Sequence, residues 1–410
     1  MHIAFLSLDY PSAAGSGGVG ISVRTLALEL VQKGHRVSVV SIQTGKAEKI
    51  SFTDEGIHIR LFRQGQLHWY LYRIPLAGPC LGLAVRELER SWSGYQLLKQ
   101  IHSKNRIDVI ELTEQGGFFT VLFKFCRVVM RLHGEKYTIF RNMPCFTMPF
   151  RVHLSRLLQR FAIRHSDDLA APSRAHAAEI ADEIHLSRAG IHIIPHLLSF
   201  PDGKTDTADL PEYIDSSRPF FLFAGRLERS KGILTLLEAA GAVTADIPRF
   251  RFVFAGGGHP GLPRSEIDRV VQEKHLEKAV IFLGHVERRM LFSLYSRAWC
   301  CIFPSYYESF GMAALESLLM HGCPALVSRT GLFKEIYSPD MERMVFSPGA
   351  AGELAAGIRD VVDNRTAFMK MARNIKKAYL AEYRPDELLQ KNLSLYQCAV
   401  SDINDGTGRT

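Results

Sequence analysis

Short apolar runs alternate with helical patterns through the first half of the chain. The runs that predict buried strands cover residues 2–8, 35–42, 107–112, 126–133, 167–172 and 191–196. Between the first two runs, leucines four residues apart predict a helix over residues 22–34, with Gly34 as its stop. Apolar strands that alternate with helices are typical of a doubly wound, mostly parallel α/β sheet.

The same pattern restarts after a polar segment at residues 201–219, which we interpret as a linker. Further strands are predicted at residues 220–225, 251–256, 279–284, 299–304 and 324–328. A chain of 410 residues is also too long for one hydrophobic core to keep growing. The sequence therefore predicts two α/β domains, residues 1–198 and residues 199–383.

The end of the chain carries one more predicted helix. An amphipathic pattern over residues 386–398 predicts it, and we expect this helix, at about 384–400, to pack back on the first domain. Residues 402–410 are predicted to form a disordered tail. The expected fold is thus two Rossmann-like, doubly wound domains that face a cleft.

Composition indicates an ordinary globular protein, with 47% apolar and 22% charged residues. Its seven cysteines show no spacing typical of zinc ligands, and we interpret them as reduced thiols of a cytoplasmic protein. The first residues lack the basic and apolar regions of a signal peptide. No apolar run reaches the roughly 18 residues that a membrane-spanning helix needs.

The net charge of +8 is concentrated in residues 118–165. This segment holds nine Lys or Arg residues and one acidic residue, Glu135, whereas the rest of the chain is balanced. Its interpretations are a solvated basic face or a peripheral contact with an anionic membrane, which would be the inner membrane face. Aromatic and methionine side chains that interleave with Arg141 and Arg151 suit such an interface. Nucleic acid is disfavoured, since no nucleic-acid motif occurs.

The glycines near the start of the chain have two interpretations. Gly15, Gly17 and Gly20 have the G-x-G-x-x-G spacing of a dinucleotide-binding turn. In that turn the first glycine follows the strand almost directly, whereas six residues separate the predicted strand from Gly15. The second strand also lacks a nearby acid for the ribose, because the next one is Glu48. NAD is therefore disfavoured, and the glycines form either a flexible loop or the lining of a ligand cleft.

Two cations follow the first strand of the second domain. Arg226 and Lys231 lie in the stretch GRLERSKG, at the end of a strand and the start of a helix. Ligands of open α/β sheets bind beyond the carboxyl ends of the strands, so these cations are placed to neutralise a diphosphate. The structural alternative is an ion pair with Glu228 at the helix start.

The stretch ESFGMAALE joins a later strand to a helix that is predicted to begin at about Gly311. The backbone amides of Phe310, Gly311 and Met312 are available there for phosphate or sugar oxygens, and the helix dipole assists. Glu308 and Glu316 lie on either side of these amides and suit the hydroxyl groups of a sugar. Alternatively, Glu308 only precedes the helix and Glu316 is solvated.

Taken together, these motifs resemble the retaining glycosyltransferases of family 4, which have the GT-B fold. The stretch from Glu308 to Glu316 has the family's E-x7-E form, and GRLERSKG resembles its G-R-L-x-x-x-K-G. FVFAGGGH resembles a glycine-rich strand exit where the family often has an acid, and here Gly257 takes that place. VIFLGHV, which ends at Val286, resembles the segment that touches the nucleotide base.

The first domain contributes to the same resemblance. Gly17, Gly18 and Gly20 match the family's glycine loop, and VVMRLHG resembles the strand that carries an active-site histidine, here His133. A buried strand-end histidine is the alternative for that residue. The chain departs from the family at His196, where asparagine is common, and after the strand PALVS, where one glycine of a usual pair is kept.

The resemblance implies a metal-independent transfer of a sugar, with retention, from a nucleoside diphosphate sugar to a hydroxyl acceptor. Glu316 would hold the ribose, Arg226 and Lys231 the diphosphate, and Glu308 with the amides at 310–312 the sugar. No D-x-D metal motif occurs in the chain, and no cofactor is expected. The acceptor would dock on the first domain.

Several points stay open on the sequence alone. UDP is the first expectation for the nucleotide and GDP the next, and the acceptor is either lipid-linked or a soluble small molecule. Glu111 or Glu114 is a candidate to lie near that acceptor. The alternative functions are a non-hydrolysing UDP-sugar epimerase of the same fold, an NAD-dependent oxidoreductase and a non-catalytic sugar-binding protein.

Overall fold

A computed structural model of the chain describes residues 1–11, 17–43, 50–74, 78–134, 153–198, 210, 214, 217–336 and 339–404. These residues divide into two compact units, one of residues 1–198 with 384–404 and one of residues 210–383. Several residues named above lie outside the described residues: Gly15, Glu48, Glu135, Arg141, Arg151, most of the segment 201–219, and 405–410.

The first unit is a sheet covered by helices. Its strands are β1 (His2–Leu6), β2 (Arg36–Ile42), β3 (Ser51–Asp54), β4 (Ile57–Phe62), β5 (Val109–Thr113), β6 (Arg127–Arg131), β7 (Asp168–Ala171) and β8 (Ile191–Ile193). Its helices before the second unit are α1 (Gly18–Gln32), α2 (Leu67–Leu71), α3 (Gly78–Lys104), α4 (Phe118–Leu122), α5 (His153–His165) and α6 (Arg174–Ile184). The strand order is β3-β4-β2-β1-β5-β6-β7-β8, and all pairs are parallel except β3 with β4.

The centre of this sheet is its most buried part. All five residues of β1 are buried, and β1 pairs with β2 on one side and with β5 on the other. Leu6 and Met130 contribute to a core that also includes Leu98 of α3 and Ile163 of α5. Because both faces of a central parallel strand are covered, such strands read as continuous apolar runs, and these are the strands that the sequence predicts.

The edge of the sheet is the part that the pattern does not predict. Strands β3 and β4 form an antiparallel hairpin whose turn, Glu55 and Gly56, has positive φ angles at both residues. β3 alternates exposed and half-buried residues, so it has no apolar run that would indicate a strand. The strand of residues 345–346, at one edge of the second unit's sheet, is also not predicted, because two residues are too few to form an apolar run.

The second unit is a fully parallel sheet. Its strands are β9 (Phe220–Ala224), β10 (Arg251–Ala255), β11 (Val280–Gly284), β12 (Cys300–Phe303), β13 (Ala325–Ser328) and β14 (Val345–Phe346). Its helices are α7 (Ile233–Val243), α8 (Arg264–Glu273), α9 (Arg288–Arg297), α10 (Met312–His321), α11 (Phe333–Ile336), α12 (Ala351–Asp363) and α13 (Arg365–Glu382). The order is β11-β10-β9-β12-β13-β14, so the predicted fold class of two parallel α/β units is confirmed.

A last helix, α14 (Pro385–Asn404), belongs to the first unit. It extends through residues 402–404, where the sequence predicts disorder, so the predicted start of the tail is wrong by three residues. The helix carries Asn392 and Tyr396 against a buried ion pair of the sheet. Arg131 of β6 donates from Nε and Nη2 to the two carboxylate oxygens of Glu111 on β5, at 2.8 Å each.

The polar side chains of α14 complete this buried network. The hydroxyl of Tyr396 donates to Glu111 Oε2, at 2.5 Å, and Arg131 Nη2 donates to the amide oxygen of Asn392. The side chains of Arg131 and Glu111 are only 4% and 3% exposed. Since buried charges are stable only when they are paired and hydrogen-bonded, the first unit needs its last helix to satisfy its sheet.

In the described parts of the basic segment, residues 118–134 and 153–165, the cations are ion-paired or hydrogen-bonded rather than free. Its described cations contact acceptors that lie mostly outside the segment, and Arg164 donates to the carbonyl of Ile184. The ion pairs are Lys124 with Asp167, Arg127 with Asp168, Arg131 with Glu111, and Arg156 and Arg160 with Glu183. Neutralising Arg156 would therefore break an internal contact rather than remove surface charge. Among the described helices, none combines the length and hydropathy of a membrane span.

We expect Arg131→Met to lower the free energy of unfolding by about 3–5 kcal/mol, because it leaves the Glu111 carboxylate buried without its guanidinium. Tyr396→Phe removes one hydrogen bond to the same carboxylate and should cost about 1.5–3 kcal/mol. Urea denaturation measures both. Arg188→Met is the control, since the pair of Arg188 with Asp182 is about 60% exposed on both sides. Equal losses for Arg131→Met and the control would contradict the role of this network.

Candidate active site

The candidate site of the second unit lies at the carboxyl ends of β9, β10 and β12. These strands are neighbours in the order β10-β9-β12, and all are parallel, so the loops that follow them meet at one edge of the sheet. The loop after β9 carries Arg226 and Lys231, and the loop after β12 carries Glu308. This is the edge at which open α/β sheets bind their ligands.

Lys231 and Glu308 meet at this edge. Lys231 Nζ donates to Glu308 Oε1 at 2.7 Å, and Ser305 Oγ donates to the same oxygen, also at 2.7 Å. Both charged side chains keep some exposure, 26% for Lys231 and 19% for Glu308. Two residues that are 77 positions apart in the sequence thus form one charged pair at the carboxyl edge of the sheet.

The backbone keeps the two loops together. Gly232 precedes α7 with φ of 69°, and a Cβ there would lie 1.9 Å from the carbonyl oxygen of Pro304. Tyr306 donates its backbone N–H to the carbonyl of Ser230 at 2.8 Å. Glycine is therefore required at position 232 by conformation and by the close approach, and the position of Lys231 relative to Glu308 follows from the backbone.

Arg226 is less constrained than Lys231. Its side chain is 61% exposed, and its Nη2 lies 3.3 Å from Glu228 Oε1, which is the pair that the structural alternative names. Glu228 also accepts from Ser230 Oγ at 2.7 Å. Because an exposed ion pair contributes little to stability, Arg226 can turn towards an anionic ligand at small energetic cost.

Gly257 follows β10 and Val286 follows β11, so both lie at the carboxyl edge of the sheet. A Cβ at Gly257 would meet nothing within 4 Å, so the backbone there borders open space. Its carbonyl accepts from the N–H of Leu227, at 2.8 Å, which ties the exits of β9 and β10 together. Val286 is half-buried after β11. No side chain stands where the family often has an acid.

The segment that leads into α10 packs closely against the loop that follows β13. Gly311 precedes Met312, the first helical residue, and has φ of 86°; Phe310 before it is buried. The single glycine kept after strand β13, Gly331, has φ of 48°, and a Cβ there would lie 1.8 Å from the carbonyl oxygen of Glu308. The chain thus has one glycine where the family usually has two, and Gly331 is the one that this close approach requires.

Glu316, in the second turn of α10, is buried with a side chain that is 8% exposed. The structural alternative of a solvated Glu316 is therefore wrong. Its Oε1 accepts from Arg288 Nη2 at 3.1 Å. Burial raises the pKa of Glu316, and the Arg288 guanidinium opposes that shift. Arg288 belongs to no sequence motif and lies 28 residues from its partner, so the sequence alone does not indicate it.

In the first unit, His133 lies two residues after the end of β6. The backbone N–H groups of His133 and Gly134 both donate to Glu114 Oε1, at 2.5 Å and 2.9 Å. The imidazole of His133 is stacked on that of His196, with 4.9 Å between ring centroids. Within the described part of the chain, His133 Nε2 has no hydrogen-bond partner. The buried strand-end histidine and the active-site histidine both fit this geometry.

Three histidines of the first unit are held neutral. Burial lowers the pKa of His133 to about 3, and Arg131 and His176 add to the effect. Burial also lowers the pKa of His176 to about 3 and that of His196 well below its usual value. At neutral pH these imidazoles are therefore uncharged hydrogen-bonding groups.

The two carboxylate candidates for the acceptor side differ in their surroundings. Glu111 is committed to Arg131 and Tyr396 inside the sheet, so it is not available to an acceptor. Glu114 is buried and accepts the backbone N–H groups that shape the turn at His133. Burial raises the pKa of Glu114, while those N–H groups oppose the shift. Glu114 therefore fixes the position of His133.

Helix α1 begins earlier than the sequence predicts. It begins at Gly18, so of the three glycines that match the family's loop, Gly18 and Gly20 lie in its first turn and Gly17 directly precedes it. The N–H of Gly17 donates to Asp9 Oδ2 at 2.9 Å, and a Cβ at Gly17 would lie 2.7 Å from that oxygen. The described residues contain no group of three or more His, Cys, Asp or Glu that could hold a metal ion.

Comparison with known protein families divides the chain between the same two units. Residues 16–198 match the model of the family described as Glycosyltransferase Family 4. Residues 207–379 match the model described as Glycosyl transferases group 1. Together these two matches include the Lys231–Glu308 pair, Glu316 and His133.

Relatives and solved structures agree with the family matches. The glycogen synthase of Mycobacterium tuberculosis is 24% identical over 409 residues, covering 93% of this chain and 91% of that protein. Sucrose-phosphate synthase from Thermosynechococcus elongatus superposes with a TM-score of 0.79 at 21% identity, covering 98% of this chain and 99% of that one. HepE of Anabaena, solved with UDP-glucose, gives a TM-score of 0.72 at 17% identity, covering 97% and 100%.

We expect acid to destabilise the first unit between pH 6.5 and about 3. The unfolded chain takes up a proton on each histidine near pH 6.5, whereas His133 and His176 remain neutral in the folded protein down to about pH 3. Stability is therefore lost as the pH falls, by up to about 1.4 kcal/mol per pH unit for each such histidine. Urea midpoints at pH 7.5 and 5.5 measure the loss, and His133→Gln should reduce it. Equal midpoints at both pH values would contradict it.

Proposed function

Because this chain is a glycosyltransferase, with a Family 4 domain followed by a group 1 domain on the GT-B fold, we propose the reaction that its second unit supports. In this reaction the enzyme transfers a hexose from a nucleoside diphosphate sugar to a hydroxyl group, with retention of the anomeric configuration and without a metal ion. The product would be a glycan, a glycolipid or a small-molecule glycoside. Nothing among the family matches and relatives supports the epimerase alternative.

The observation that carries this proposal is the meeting of Lys231 and Glu308 at the carboxyl edge of the sheet, at 2.7 Å. A departing diphosphate needs positive charge, and Lys231 with the exposed Arg226 provides two cations on one loop. The N–H groups at the start of α10 add hydrogen-bond donors and the positive end of a helix dipole. Side chains and backbone thus supply the charge stabilisation that a divalent ion supplies in other enzymes.

In the proposed reaction the acceptor oxygen forms a bond to the anomeric carbon on the face from which the diphosphate leaves. The electron pair of the breaking bond goes to the β-phosphate oxygen, and the acceptor proton is taken up by the departing phosphate. Lys231 stabilises the growing negative charge, and Glu308 then accepts hydrogen bonds from the sugar. Glu316 accepts hydrogen bonds from the ribose hydroxyls.

The first unit would bind the acceptor. His133 is neutral, and its position is fixed by Glu114, so it is suited to hydrogen bonding rather than to carrying charge. UDP-sugars are the first donors to test, since HepE of Anabaena was solved with UDP-glucose, and GDP-sugars are the next. A lipid-linked acceptor would fit the apolar side chains Leu122, Phe123, Leu154 and Leu157, which are 40–60% exposed in the segment predicted to contact membranes.

We expect Lys231→Met to lower kcat by about 10²–10³-fold, because it removes a contact to charge that develops in the transition state. Transfer from UDP-glucose to a panel of hydroxyl acceptors measures this, and proton NMR of the product reports the anomeric configuration. Lys278→Met, a change of an exposed lysine in the same unit, is the matched control. EDTA should leave the rate unchanged.

Three outcomes would overturn parts of this proposal. An inverted product would remove the retaining mechanism, and a rate abolished by EDTA would remove the metal-independent one. Full activity of Lys231→Met would remove the role of the Lys231–Glu308 pair.

A further inference from the structure

Arg288 contacts Glu316, the carboxylate of the candidate site that is almost completely buried. It is the first residue of α9, in the turn that follows β11, and its side chain is 37% exposed against 8% for Glu316. Its Nη2 lies 3.1 Å from Glu316 Oε1, and its guanidinium lies 5.0 Å from the ring centroid of Phe292. The guanidinium is therefore held by a ring on its own helix and aimed at a carboxylate on the next one.

The other titratable group that faces Glu316 is Tyr295, which is neutral at physiological pH. Tyr295, also on α9, is fully buried, and burial raises its pKa well above the usual value. Behind it lie the buried thiols of Cys301 on β12 and Cys323, which precedes β13. Among the described residues, Arg288 is thus the group that supplies a counter-charge to Glu316.

A buried carboxylate without a counter-charge takes up a proton more readily. Protonation would cost Glu316 its ability to accept two charge-assisted hydrogen bonds, which is what the hydroxyl pair of a ribose requires. Burial and the guanidinium act in opposite directions on this carboxyl group. The balance between them decides whether Glu316 can receive the nucleotide.

We propose that Arg288 is a positioning residue for the donor nucleotide, which keeps the Glu316 carboxylate charged and oriented towards the ribose. The inference rests on the proposed function, since it takes Glu316 as the group that binds the ribose. It differs from a direct contact of Arg288 with the diphosphate. In the proposed role Arg288 acts only through Glu316, so its effect disappears when Glu316 is changed.

The test is a double-mutant cycle in nucleotide binding. The probe is the diphosphate of uridine, guanosine or adenosine that raises the melting temperature of the natural protein most, followed by calorimetric titration at pH 7.5. We expect Arg288→Gln to raise Kd about 10–100-fold, as for the loss of a charged hydrogen-bond partner. In the Glu316→Gln background, Arg288→Gln should change Kd less than about twofold.

The pH profile separates this role from a merely structural one. Without the guanidinium, Glu316 takes up its proton at higher pH, so binding by Arg288→Gln should fail at a higher pH on acidification than binding by the natural protein. Arg288→Lys, which restores the charge, should return the profile towards that of the natural protein. Arg297→Gln is the matched control, since Arg297 is exposed at the last turn of the same helix.

The outcomes are distinct. If none of the three diphosphates binds the natural protein, the proposed function fails and this inference fails with it. If the natural protein binds but Arg288→Gln has an unchanged Kd, only the inference is overturned. Additive effects of Arg288→Gln and Glu316→Gln would overturn it as well, because they would mean that Arg288 acts independently of Glu316.

Discussion

The contact between Lys231 and Glu308 is the interaction on which the candidate site depends. It joins the exits of two neighbouring strands, β9 and β12, and each partner lies on a loop whose path is set by a glycine. Gly232 allows the lysine loop to approach Pro304, and Gly331 allows the next loop to approach Glu308. Because both side chains keep part of their exposure, the pair contributes little to stability and can be separated at small energetic cost, as binding of a charged ligand in the proposed reaction would require.

The charged side chains of the two units differ in location and exposure. In the second unit, charged side chains lie at the edge of the sheet and keep part of their exposure, as Arg226 and Lys231 do. In the first unit, a charged pair is sealed inside the sheet, and the histidines beside it are kept neutral. In the proposed reaction, this division would place the charged donor on the second unit and the uncharged hydroxyl acceptor on the first.

The sequence predicts the central strands because both of their faces are buried, which makes them continuous apolar runs. It does not predict the hairpin of β3 and β4, because exposed or half-buried residues of both strands interrupt their apolar positions. It also does not predict the start of α1 at Gly18, because glycines do not resemble a helix start. Charge counting along the chain also overstates the free charge in the described part of the segment 118–165, since acids outside the segment, such as Glu111 and Glu183, pair with Arg131 and Arg160. The motifs around Lys231 and Glu308 are short and local, whereas Arg288 is found only through its contact with Glu316.

The helix α14 has a consequence for how the protein matures on the ribosome. The described part of the second unit, residues 210–383, lies between the two parts of the first unit in the sequence and can close its sheet as soon as it has emerged. Asn392 and Tyr396 reach Arg131 and Glu111 only after that whole stretch has been translated. The sheet of the first unit is thus synthesised before the second unit but completed after it, and in the interval its ionic core lacks the side chains that satisfy it.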